Sequence, residues 1–251
     1  MNESLKKQRI IKAFSSRADN YDSVATVQRI VASKLAKRIK KLSLQMNSRI
    51  LEIGCGTGFL STHLIKDFSD SKIMLTDISS SMLDKCRINV GDVPQYRLLD
   101  GEYPEGINGS FDLIASNLTF QWFCDLQKGI ERLCKFLAPN GSLIFTTLGQ
   151  KTFKEWRLAH HVLGLICGTP QYPSIDNFPN KEGLFYHIDE ELIYQRYNSG
   201  YDFARTLKLL GAKEPVINHK LLSPSSIRRL LNSLQGEFIV TYHILYCEVK
   251  I

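Results

Sequence analysis

Residues 50–58 read ILEIGCGTG: an apolar run carrying one acid, then glycines at 54, 56 and 58. The run has the composition of a buried strand, and glycine on alternate positions marks a bend where backbone comes close to a ligand. A glycine bend after a strand is how nucleotide-binding βα units begin. The two common phosphate loops do not fit. The dinucleotide pattern G-x-G-x-x-G needs its third glycine one place later, and the Lys-Ser/Thr that ends a P-loop is missing. Glu52, two residues before the first glycine, would repel a phosphate but suits a ligand that carries a cation.

Outward from this stretch, strand and helix patterns alternate. Strands are expected at 49–53, 73–77, 95–99, 111–116 and 142–147, with helices over 58–68, 79–89 and 124–137. Strands joined by helical crossovers form a parallel sheet covered on both faces, an α/β fold. Upstream, VQRIVASKLAKRIKKL (27–42) places Val27, Ile30, Val31, Leu35, Ile39 and Leu42 on one helical stripe. Lys34, Lys37, Arg38 and Lys41 lie largely opposite, which predicts an amphipathic helix with its basic side in water. Downstream, helices are expected in FKEWRLAHHVLGLI, DEELIYQRYN and DFARTLKLLG, parted by the proline-bearing loop TPQYPSIDNFPN at 169–180. The chain closes with LSPSSIRRLLNSL, a helix for which Ser225 is the expected N-cap, and the long β-branched and aromatic strand of GEFIVTYHILYCEVKI. Four units follow: 1–48, a basic helical segment; 49–150, the ligand-binding α/β core; 151–211, a helical cap; and 212–251, the helix and strands that complete the sheet.

The 251 residues are 43% hydrophobic and 23% charged, ordinary values for a globular protein. No apolar run reaches the length of a membrane span and the N-terminus lacks a secretory core, so a cytoplasmic protein without a membrane partner is expected. The six cysteines are scattered, with no metal-ligand spacing, and neither a disulfide framework nor a bound metal is expected. Charge is uneven. Residues 1–49 hold 12 Lys/Arg against 3 Asp/Glu, which suits either a solvated helix face or an acidic partner. With only Phe14 and Tyr21 as aromatics there, a stacking surface for nucleic acid is poor, and nucleic acid is the less favoured partner.

S-adenosylmethionine is a phosphate-free ligand bearing a sulfonium and an ammonium, and E-I-G-C-G-T-G at 52–58 resembles motif I of the class I methyltransferases that use it. The resemblance implies a Rossmann-like, seven-stranded sheet with helices on both faces and a helical cap inserted after strand 5. It implies that Gly54, Gly56 and Gly58 approach the methionine half of the cofactor, with Glu52 beside the ammonium. Asp77, ending the second strand, is placed to accept from both ribose hydroxyls, as strand-end acids do in nucleotide folds. Ile78 and Met82 would bracket the adenine, Asp100-Gly101 would meet its edge, and Asn117, ending FDLIASN, would lie beside the transfer centre. LCKFLAPNGSLIFTT resembles the family's turn into the fifth strand.

The acceptor half carries no paired carboxylates, no D/N-P-P-Y/F loop and no cysteine pair. With no obvious general base, an acceptor already ionised at neutral pH, such as a carboxylate, is favoured. Four further elements, F-S-S-R-A-D-N-Y (14–21), S-N-L-T-F-Q-W (116–122) continuing to F-T-T-L-G (145–149), A-R-T-L-K-L-L-G-A (204–212) and T-Y-H-I-L-Y (241–246), resemble the BioC family of malonyl-acyl carrier protein O-methyltransferases in biotin synthesis. That resemblance implies methylation of the free carboxylate of a malonyl thioester held by an acidic acyl carrier protein, yielding S-adenosylhomocysteine. It places Tyr21 near the sulfonium, Gln121 and Trp122 in the acceptor wall, and Arg205 and Lys208 against the malonyl carboxylate or carrier phosphate. Tyr242 and His243 are further candidates for substrate contact. Methylation of another small molecule or tRNA, and a BioC-like assembly factor that transfers no methyl group, are the alternatives.

Overall fold

A computed structural model of the chain describes residues 3–42, 44–179, 181–211 and 222–251. In order, the elements are α1 (Glu3–Ser15), α2 (Ala18–Val24), α3 (Thr26–Ile39), β1 (Arg49–Ile53), α4 (Phe59–Asp67), β2 (Lys72–Asp77), α5 (Ser80–Val90) and β3 (Gln95–Leu98). They continue with β4 (Phe111–Ser116), a 3-10 turn (Phe120–Trp122), α6 (Leu126–Cys134), β5 (Leu137–Leu148), α7 (Lys154–Val162), β6 (Phe185–Tyr197), α8 (Gly200–Leu209), α9 (Pro224–Asn232) and β7 (Phe238–Lys250).

The strands form one seven-stranded sheet in the order β3-β2-β1-β4-β5-β7-β6. β1 to β5 run parallel, and β7 lies antiparallel to both β5 and β6. Alternate residues of β1 enter different apolar clusters. Ile50 packs with α3 and α4 residues Leu35, Ile39, Leu60 and Leu64, whereas Leu51 and Ile53 pack with Phe120, Ile130 and Leu133. The sheet is therefore covered on both faces, as the near-continuous apolar strands require. β1 sits between β2 and β4, where the strand order reverses. In doubly wound sheets that switch point opens a crevice at the carboxyl ends of the strands, and the glycine bend after Ile53 lies there.

The expected helix over 189–198 is corrected: these residues lie mostly in β6, paired along its whole length with β7. The reason is charge pairing at a sheet edge. Asp189 and Glu191 point to α3, where they pair with Arg38 and Lys34, while Glu190 between them meets Lys151 and His243. The basic side of α3, expected in water, is thus partly neutralised by β6. The α9 N-cap also moves: the Ser223 hydroxyl, not that of Ser225, accepts from the Ser226 N–H at 3.1 Å, with Pro224 in the first turn. The expected boundary at 212, with Ala212 of the third matched element, lies outside the described residues. Among the described residues no helix is long and apolar enough to cross a membrane.

Candidate active site

The bend is built from left-handed backbone: φ is +68° at Gly54, +55° at Gly56 and +100° at Gly58. A Cβ at Gly54 would stand 2.3 Å from Thr119 Oγ1, and one at Gly58 2.6 Å from Val90 Cγ2. At Gly56 a Cβ would meet nothing, so that position is open toward the cavity and needs glycine for its φ. Asp77, at the end of β2, holds the bend: Oδ2 accepts from Gly56 N–H and Oδ1 from Ser79 N–H, both at 2.9 Å. Burial nevertheless pushes its pKa up to about 6. Glu52 is 1% exposed, and its Oε2 accepts from the Ser61 hydroxyl at 2.7 Å. Burial outweighs that bond and raises its pKa to about 8.

These groups open onto one cavity, about 1410 Å³ with its open mouth included. One end presents Ile78, Met82, Leu99, Asp100, Gly101 and Phe123. Gly101 is required by packing, since a Cβ there would lie 2.2 Å from Ile53 Cγ2. Asn117 lies further along, its Nδ2 donating to Gln28 O and its Oδ1 accepting from Thr146 Oγ1, each at 3.1 Å. The following residue, Leu118, is held at φ +50° with its N–H donating to the same threonine hydroxyl. Opposite stand Phe153, Pro170, Tyr172, Leu207, Leu210 and Tyr242.

The helices before β1 form a strap across this cavity. Lys7 Nζ pairs with Asp100 Oδ1 at 2.9 Å and Glu102 Oε2 at 2.6 Å; Ser15 Oγ meets Ser79 Oγ at 2.8 Å; and Asp22 accepts from Thr57 Oγ1 at 2.5 Å. Burial works against a charged Lys7, but the two carboxylates raise its pKa above the ordinary lysine value. Phe14 then meets Trp122 edge-on at 5.3 Å and Tyr21 at 6.4 Å, an aromatic wall across the cavity. Lys7→Met removes the cation from a buried Glu102, and should weaken binding of S-adenosylhomocysteine about tenfold. Titration calorimetry reads the affinity, and hydrogen exchange of α1 should quicken in the same variant.

Tyr21, Glu52, Gly54, Gly56, Asp77, Ile78, Met82, Asp100, Gly101, Asn117, Gln121, Trp122 and Tyr242 thus all border one cavity, whereas Gly58 does not and packs against Val90 and Cys86 of α5. Contact with the malonyl carboxylate inside the cavity, expected as one role of Arg205 and Lys208, and substrate contact by His243 are corrected. Arg205 and Lys208 are exposed on α8, and it is their neighbours Leu207 and Leu210 that face inward. A helix turns 100° per residue, so inward 207 and 210 leave 205 and 208 outside. His243 is 1% exposed and does not border the cavity; its Nε2–H donates to Glu190 Oε2 at 2.7 Å and Nδ1 accepts from Lys151 N–H. Burial lowers its pKa, so it is a neutral, structural side chain. Tyr242, one residue away, takes the other face and bonds to the Tyr197 hydroxyl at 2.7 Å.

Sequence reasoning missed Lys7, Phe14, Gln28, Thr119 and Tyr172. Phe14 and Thr119 lay inside the quoted motifs, whereas Lys7 was indistinguishable from its basic neighbours. Gln28 Oε1 and Gln121 Oε1 are buried at the cavity without a partner among the described residues. Buried acceptors of this kind need a donor.

A strand-end carboxylate bonded to a left-handed glycine bend and apolar walls beyond it fit a cationic nucleoside. Fold and site together define a class I S-adenosylmethionine-dependent methyltransferase. A family model described as a methyltransferase domain matches residues 51–143. The chain is 38% identical, over 97% of its own length and 93% of the other's, to the malonyl-[acyl-carrier protein] O-methyltransferase of Magnetococcus marinus. It is 40% identical to the biotin biosynthesis bifunctional protein BioCD of Bordetella avium, of which 98% of this chain spans only 53%. The plantazolicin methyltransferase BpumL, solved with S-adenosylhomocysteine, shares the fold with a TM-score of 0.54 at 15% identity, covering 97% of both chains. The chain belongs to the malonyl-[acyl-carrier protein] O-methyltransferase family.

Proposed function

We propose that the protein transfers the methyl group of S-adenosylmethionine to the free carboxylate of a malonyl thioester carried by an acidic acyl carrier protein in the cytoplasm, without a metal. When bound, S-adenosylmethionine supplies an electrophilic methyl group on a sulfonium, and a carboxylate oxygen takes it with no proton to move. The chain's residues hold and screen. Asp77 accepts from the ribose hydroxyls, Glu52 offsets the ammonium, Ile78 and Met82 flank the adenine, and Asp100 with Gly101 meet its edge. Asn117 and the bend fix the methionine half. Tyr21, Gln121 and Trp122 form the wall of the transfer centre and exclude water, which strengthens attraction between the carboxylate and the sulfonium. Arg205 and Lys208 remain available outside for the carrier.

One observation carries this reading: among the described residues, the acceptor side of the cavity holds no group that titrates near neutrality. Burial pushes the pKa values of Tyr21, Tyr172 and Tyr242 upward, and no histidine borders the cavity. Such a site has no base with which to activate a catechol, an amine or a carbon acid, and it suits an acceptor that arrives ionised. Incubating the protein with methyl-labelled cofactor and malonyl-carrier should give a base-labile labelled ester. An unlabelled carrier beside a methylated small molecule or tRNA would overturn the proposal.

A further inference from the structure

A second crevice, of about 540 Å³, opens beside the first. It lies between Ser23 and Val27 at the α2–α3 junction, Arg196 and Tyr197 at the end of β6, and Asp202 and Thr206 on α8. It shares Gln28, Leu210 and Tyr242 with the cofactor cavity, so the two spaces meet at these side chains. They meet on the acceptor side, away from the glycine bend and Asp77.

The strap explains why entry falls here. Lys7 ties α1 to Asp100 and Glu102 at the nucleoside end, while Ser15 of α1 and Asp22 of α2 tie the strap to Ser79 and Thr57 near the bend. Among the described residues no hydrogen bond or ion pair joins α2 to α8, and the crevice lies between those two helices. Its lining sets Ser23, Gln195, Asp202 and Thr206 beside Val27 and Leu210, and it includes Gln28, whose Oε1 is buried and has no partner among the described residues. A crevice of mixed polar and apolar side chains with an unpaired amide oxygen suits a linear chain that carries amide N–H groups.

We propose that this crevice binds the linear, amide-bearing arm through which an acyl carrier presents its thioester, with Gln28 Oε1 accepting from an arm amide N–H. The inference rests on the carrier-bound malonyl thioester as acceptor. The arm passes Thr206, crosses Gln28 and Tyr242, and delivers the malonyl carboxylate into the cavity from the side opposite Asp77.

The test compares malonyl-pantetheine, which has the arm, with the malonyl thioester of ethanethiol, which lacks it. Thr206→Trp narrows the crevice from its outer half, and Gln28→Leu removes the acceptor at similar size. Each should raise KM for malonyl-pantetheine about tenfold, the effect of one lost buried hydrogen bond or a blocked subsite, and move KM for the ethanethiol ester far less. Circular dichroism and thermal unfolding, measured alongside, report folding. In the wild type, free pantetheine should compete with malonyl-pantetheine, a measurement that needs no variant. The proposal is overturned if pantetheine does not compete, or if both thioesters shift together in the folded variants. A wild type that labels malonyl-carrier while failing these tests removes the arm site alone. A wild type that labels no malonyl thioester removes the proposed function, and the arm site with it.

Discussion

Asp77→Ala should raise the dissociation constant for S-adenosylhomocysteine by a factor on the order of 10² to 10³. Two contributions act together. In the proposed complex the carboxylate accepts from the ribose hydroxyls, and hydrogen bonds to a charged group contribute about 1.5–3 kcal/mol each. The same oxygens already bond Gly56 N–H and Ser79 N–H at 2.9 Å, and removing them leaves two backbone donors unpaired where the chain must stay left-handed. The loss thus reaches beyond the ribose to the bend that meets the methionine half. Asp77→Asn keeps one oxygen acceptor and should lose much less. Calorimetric titration of the two variants settles the matter, and an alanine variant that binds within threefold of wild type would remove Asp77 from the site.

Glu52 gives the second large effect, through pH. Its folded pKa of about 8 stands well above the ordinary carboxyl value of 4.5, because burial penalises the carboxylate. Between those values the folded protein holds a proton that the unfolded chain has released. Stability from this group is therefore fully present below about pH 4.5 and is lost as pH rises through 8. At about 1.4 kcal/mol per pKa unit, the ceiling is roughly 5 kcal/mol. Asp77, raised from 3.8 to about 6, acts in the same direction at lower pH. Without cofactor, Tm should fall steadily from pH 5 to pH 8, and Glu52→Gln should flatten the upper part of that slope. A positively charged ligand reverses the preference and favours the ionised acid. Binding of S-adenosylmethionine at pH 7 should release close to one proton, seen as binding enthalpies that differ between buffers of unlike ionisation heat. Equal enthalpies in phosphate and Tris would contradict the assignment.

Much of the fold was legible because the parallel strands are buried on both faces, and such strands read as apolar runs whatever surrounds them. β1, β2 and β4 fell within a residue of their expected positions. β6 was not legible for a related reason. At an edge its side chains satisfy charge rather than apolar contact, so DEELIYQRYN shows helix-forming composition instead of apolar alternation. The alternation exists, with Asp189 and Glu191 toward α3 and Glu190 toward Lys151, but it is written in partners the local sequence does not reveal. The residues around the glycine bend could be placed on one cavity from sequence because they sit at strand ends in a fixed order. The acceptor half comes from helices packed against one another, and there Arg205 and Lys208 were chosen for their charge while the inward positions were Leu207 and Leu210.

The order of strands also bears on how the molecule is made. β6 is synthesised before β7, yet its thirteen residues pair only with β7, which also covers the open margin of β5. Until β7 emerges, two strands wait with unpaired amides, and pairings this distant in sequence form slowly. At that stage two of the seven strands present an open edge, and the charges of Asp189, Glu190 and Glu191 disfavour its pairing with another chain.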